Sequence, residues 1–156
     1  MPFTFSHPAA ALPVWPLVRR GVIPLAPFAV GAVVPDFEYL LRLEPLSLVS
    51  HSARGLVVFC LPVGVAAWWL WAWLLRPLGR DLVALPAATS RSGEAWGGGL
   101  IALMLGSASQ VAWDTFTHRY TWVADRWPQL RETAFRVGGA EFPWFSVFQH
   151  ASTVVG

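Results

Sequence analysis

The segment SASQVAWDTFTHRY, residues 107–120, sets Asp114 and His118 four positions apart, and a helix stacks such residues one turn apart on one face, with Gln110 a turn earlier. A carboxylate and an imidazole at that spacing are ligands for a divalent metal, an acid–base pair, or simply an ion pair closing a helix. Three further histidines sit in short polar patches beside apolar runs: His7 in FTFSHPAA, His51 in LVSHSARGL and His150 in FQHAST. Asp36 and Glu38 stand in VVPDFEYLL, directly after an apolar stretch, where Asp36 also suits a helix start. Imidazoles with carboxylates suit zinc, or manganese where oxygen ligands dominate, and the neighbouring Ser and Thr hydroxyls are suited to orient the rings. A metal of that kind brings hydrolysis within reach, because it makes hydroxide available near neutral pH.

The elements that must position these groups are apolar. Of 156 residues, 55% are hydrophobic and 13% charged, and ten are Trp. That charged share is about half the average for a soluble domain. Twenty charged side chains cannot cover so much apolar surface in water, so a lipid bilayer is the expected surrounding. The formal net charge of +2 gives no basis for nucleic-acid binding. Every basic residue is Arg, a mark of GC-rich coding rather than of chemistry. Cys60 is the single cysteine, which excludes an intrachain disulfide and a cysteine-based zinc knuckle.

The composition and runs predict an all-α, multi-pass transmembrane helical bundle in the cell membrane, one domain over residues 1–156. Two spans are expected. The first is Gly55–Leu75, free of charge, with four Trp crowding its end and Arg76 closing it. The second is Trp96–Trp113, rich in small residues that allow close helix approach. Gly21–Pro35 is too short and too proline-rich for a full crossing and reads as a re-entrant, interfacial or packed short helix. Arg19–Arg20 precedes it too late in the chain, and with no clean cleavage site, to mark a signal peptide. The stretch around Ala87–Gly93 reads as a loop. The final run, FPWFSVFQHASTVVG, has no flanking anchor and suggests the N-terminal part of a longer protein.

With two crossings, eight arginines fall on one side and Arg76, Arg80 and Arg91 on the other, so the first side is expected to be cytoplasmic. A third crossing at Gly21–Pro35 would leave five against six and decide nothing. Two consecutive spans run antiparallel. His51, just before one, and Asp114 and His118, just after the next, then emerge on one face, and Asp36 joins them there. His150 is the weakest ligand candidate.

Five motifs, MPFTFSHPAAALP, VVPDFEYLLRL, SHSARGLVVFCLPVG, SQVAWDTFTH and QHASTVVG, in that order, closely resemble the bacterial domain-of-unknown-function family 4184 of multi-pass membrane proteins. More loosely, the arrangement is similar to the LexA-regulated, membrane-bound metal-dependent hydrolase family. The resemblance marks His7, Asp36, Glu38, His51, Asp114, His118 and His150. In the leading hypothesis Asp114 and His118 are ligands from one helix, with His51 and Asp36 from others. His7 would complete the set or act on the proton, and Glu38 would serve as general base. Where the family pattern has Ser-His before Trp-Asp, this chain has Ser109–Gln110, which implies a weaker or altered metal site.

The leading expectation is therefore a metal-dependent hydrolase at the cytoplasmic membrane interface, with a lipid-linked or phosphate-ester substrate. The rival is a non-catalytic structural, transport or partner-binding bundle. A bis-histidine haem protein ranks third, because its ligands belong at depth within paired spans.

Overall fold

A computed structural model describes residues 4–44, 47–77 and 96–155. The chain opens on a 3-10 segment, Thr4–Ala11, followed by the short helices α1 (Trp15–Arg19), α2 (Leu25–Gly31) and α3 (Phe37–Arg42). Then come the long helices α4 (Ala53–Leu75) and α5 (Trp96–Thr117), the short α6 (Trp122–Arg126), a hairpin of β1 (Thr133–Val137) and β2 (Ala140–Pro143), and α7 (Trp144–Val155). The protein is mostly helical. The loop expected around Ala87–Gly93, with Arg80 and Arg91, lies outside the described residues.

Helix α4 covers the expected Gly55–Leu75 run. Its mean hydropathy of 1.9 and length of 23 residues make it long and apolar enough to cross a membrane. It widens to π-type turns at Leu56–Cys60 and Trp71–Leu75. The first lies just before Pro62, whose ring displaces the carbonyl of the preceding turn. Only 17% of its most apolar stretch is buried. Val57, Val58, Trp69, Trp73 and Leu74 point outward, the reverse of a soluble core helix.

The other expected span, Trp96–Trp113, lies within α5, which continues to Thr117. Among the described residues α4 alone meets the length and hydropathy of a crossing helix, because α5 turns polar along one stripe. That stripe is the structural key to the molecule. Gly99, Ala102, Leu103, Gly106, Ser107, Gln110, Asp114 and Thr117 are its buried residues, at the three- and four-residue spacing of one helix face. Its first half is small and apolar and packs; its second half is polar and faces the other candidate residues.

The packing half brings backbones together. A Cβ on Gly106 would stand 2.1 Å from the Phe28 carbonyl oxygen, and one on Gly31 would stand 2.0 Å from that of Leu103. Only hydrogen fits at either position, so α2 and α5 touch backbone to backbone. The Ser107 hydroxyl donates to the Gly31 carbonyl across the seam at 3.0 Å. The Gly21–Pro35 stretch is thus a short helix packed against α5, with Pro24 before its first turn and a 3-10 turn, Val34–Asp36, after its last. Along α4, Gly64 meets Leu103 and Trp68 meets Gly99, which sets α4 and α5 antiparallel.

The hairpin corrects the all-α expectation. Thr133–Val137 pairs antiparallel with Ala140–Pro143, joined by Gly138 and Gly139 at φ 56° and 86°. Two adjacent residues with positive φ match the right-handed twist of a two-residue hairpin, and Gly-Gly supplies them without strain. Arg136 and Glu141 face each other in register and form an ion pair.

Candidate metal centre

The polar half of the α5 stripe meets three other segments. The turn after α2 presents Asp36, the 3-10 segment presents His7, and the loop before α4 presents His51. His7, Asp36 and Asp114 are all buried, and one ligand atom from each lies within 4.8 Å of the others. His7 Nε2 stands 3.8 Å from Asp36 Oδ2, and His51 Nε2 stands 3.7 Å from Asp36 Oδ1. Those separations exceed a hydrogen bond. Two ligands bound about 2.1 Å from one ion stand roughly 3.0–3.5 Å apart, so a small inward movement gives coordination distances. His51 Nε2 is also 3.0 Å from Asp114 Oδ2.

The ring of His51 is held from behind. Its Nδ1 lies 2.8 Å from the Ser47 hydroxyl and 2.9 Å from that of Ser50. A hydroxyl donates or accepts, so this pair steadies either tautomer while Nε2 faces the carboxylates. Tyr39 packs beside the ring at a centroid distance of 5.5 Å. Burial pushes the Tyr39 phenol far above its ordinary pKa, and the negative field of Asp36, Asp114 and Glu38 pushes it further. That field is what a bound cation would offset.

His118 sits at the rim. Its Nδ1 is 3.0 Å from the Asp114 carbonyl oxygen and 3.7 Å from Oδ1. A carbonyl only accepts, so Nδ1 carries the proton and the ring caps the end of α5. His150 lies exposed on α7, and among the described residues it is not part of the cluster. His7 and His51 both approach Asp36, one toward each of its carboxylate oxygens.

Glu38, expected as a general base, is placed as a loop anchor. The amides of Leu48, Val49 and Ser50 all donate to its carboxylate, the closest at 2.7 Å, and Arg42 Nε donates at 2.8 Å. Burial alone would raise this carboxyl, but the donors from Ser50, Arg42 and Leu48 overcome it and hold it well below the usual range. A group so satisfied is a poor proton acceptor. It fixes the loop that carries Ser47, Ser50 and His51. Glu38→Gln exchanges charge-assisted bonds for neutral ones and is expected to destabilise the protein by about 1.5–3 kcal/mol, read as a fall in melting temperature.

Gln110 stands where the family pattern carries a histidine. Its Nε2 donates to Asp36 Oδ1 at 2.6 Å, tying the two halves of the site together. It thereby joins the α5 stripe to the turn after α2.

Fold and site together define a mostly helical protein with, among the described residues, one helix long and apolar enough to cross a membrane and, beside the start of that helix, a group of buried histidine and aspartate side chains that could hold a metal ion. The family model described as Domain of unknown function (DUF4184) matches residues 1–156, and the chain belongs to that family. No curated protein and no solved structure matches it.

Proposed function

We propose that the chain is a multi-pass membrane protein and a metal-dependent hydrolase of the membrane–water boundary, with His7, Asp36, His51 and Asp114 holding one divalent cation, zinc or manganese. The observation that carries the reading is the set of imidazole–carboxylate distances of 3.7–3.8 Å by which the buried His7 and the partly buried His51, from separate segments, face the buried Asp36. They are too long for hydrogen bonds and close to the edge of a coordination polyhedron. Buried carboxylates this near one another are costly without a counter-charge. These residues would hold the ion, and the chemistry it would supply there is Lewis acidity and a hydroxide nucleophile near neutral pH.

The chain's own residues do the rest. Ser47 and Ser50 aim His51, Glu38 pins their loop, and His118 marks the half-exposed rim by which a substrate arrives. A serine-nucleophile reading of Ser47–His51–Asp114 is disfavoured, because the amides of residues 48–50 that would stabilise an oxyanion already donate to Glu38. His51 is two residues before Ala53, the start of the long apolar helix α4, and that position supports a lipid-linked phosphate ester as the substrate. Helix α5, at 22 residues, would span about 33 Å and return antiparallel as the second crossing.

The test is hydrolysis of bis(4-nitrophenyl) phosphate by detergent-purified protein. Turnover is expected with added manganese or zinc and none after chelation. Equal rates with and without metal, or no turnover by metal-loaded protein, would overturn the hydrolase reading. A metal-free polar lock is the second reading, favoured by the direct His51–Asp114 and Gln110–Asp36 bonds at 3.0 and 2.6 Å. It requires chelators to leave the melting temperature unchanged.

A further inference from the structure

Gln110 Oε1 is buried and, among the described residues, meets no hydrogen-bond donor. The amide cannot be turned to relieve this. Its nitrogen contacts Asp36 Oδ1 at 2.6 Å, and an oxygen in that place would set two acceptors against each other. The orphaned oxygen is the other branch of the amide whose nitrogen meets Asp36, carried on the same helix face as Asp114 and one turn before it. A buried carbonyl oxygen bears its full desolvation penalty until a donor or a cation meets it. Every other buried side-chain polar atom among the described residues has its partner.

We infer that Gln110 Oε1 is a further ligand of the cation, and that it sets which cation the site takes; the inference rests on the metal-binding reading above. Asp36, Asp114 and Gln110 then contribute oxygens against the nitrogens of His7 and His51. Carboxylate and carbonyl oxygens suit harder ions such as manganese, whereas each added imidazole shifts a site toward zinc. An amide also adds no charge, so the two aspartates alone balance a divalent ion.

The experiment uses the full chain in detergent, stripped of metal. Manganese is titrated in with the free ion followed by electron paramagnetic resonance, and zinc is then added as competitor. Gln110→Met keeps the side chain's length without its carbonyl and should weaken manganese binding at least tenfold. Gln110→His should raise the preference for zinc over manganese at least tenfold relative to the wild type. The second variant decides the matter if the first does not fold. Wild-type protein that binds neither ion removes the metal site and this inference with it. Wild-type protein that binds manganese, with Gln110→His leaving the zinc-to-manganese ratio unchanged, removes the ligand role of Gln110 alone.

Discussion

Asp114→Asn is expected to abolish metal-dependent stabilisation while leaving the fold in place. The substitution keeps the shape of the side chain and removes the charge that faces His51 Nε2 at 3.0 Å and shares the cluster with His7 and Asp36. An ion present at about a thousand times its dissociation constant stabilises the native state by about 4 kcal/mol. For a domain of this size each kcal/mol moves the melting temperature by about 2–4 °C, so saturating metal should raise it by roughly 10 °C in the wild type. The variant should melt at one temperature with and without metal. A metal-dependent rise of the wild-type size in Asp114→Asn would show that the ion sits elsewhere.

Gly106→Ala is expected to cost the protein heavily in stability and to open the site. Alanine normally gains about 1 kcal/mol over glycine inside a helix. Here the added carbon would lie 2.1 Å from the Phe28 carbonyl oxygen and 2.8 Å from the Ala32 amide nitrogen, both backbone atoms that no rotamer change can move. Overpacking of this kind costs about 1–3 kcal/mol and more where backbone must shift, so a net loss of about 2 kcal/mol is expected. Parting α2 from α5 also parts Asp36 from Gln110 and Asp114, so metal binding should fall with stability. Gly98→Ala is the control on the same helix. Its Cβ meets nothing within 4 Å, and its melting temperature should hold or rise. A Gly106→Ala protein as stable as the control would mean that the two backbones are not in contact.

The first apolar run was legible because nothing else in the chain is as long without a charge, and α4 covers it. The i,i+4 spacing of Asp114 and His118 fixed a shared helix face, and the antiparallel argument put His51 and Asp36 on the same side. The fold brings Asp36, His51 and Asp114 side chains together, and His7 with them. Spacing could not say which way each ring turns. His118 bends back to its own helix carbonyl, and His150 faces outward on α7. Glu38 looked like a base because its backbone partners lie 10 to 12 residues away, beyond any local pattern. The Gly138–Gly139 pair did carry a hairpin signal, set between the short runs TAFRV and AEFP.

Gln110 was the residue hardest to judge from sequence. A motif comparison weighs it only as a missing imidazole, whereas its two amide atoms have opposite hydrogen-bonding roles, and only three-dimensional placement separates them. The same holds for Ser47 and Ser50, whose value lies in facing Nδ1 of one particular histidine.

Elemental analysis of the detergent-purified wild-type chain bears most directly on the metal centre. The expected result is about one zinc or manganese ion per chain, retained through gel filtration and lost after prolonged chelation. Well-folded protein that carries no transition metal, and takes up none when zinc or manganese is supplied, would contradict it.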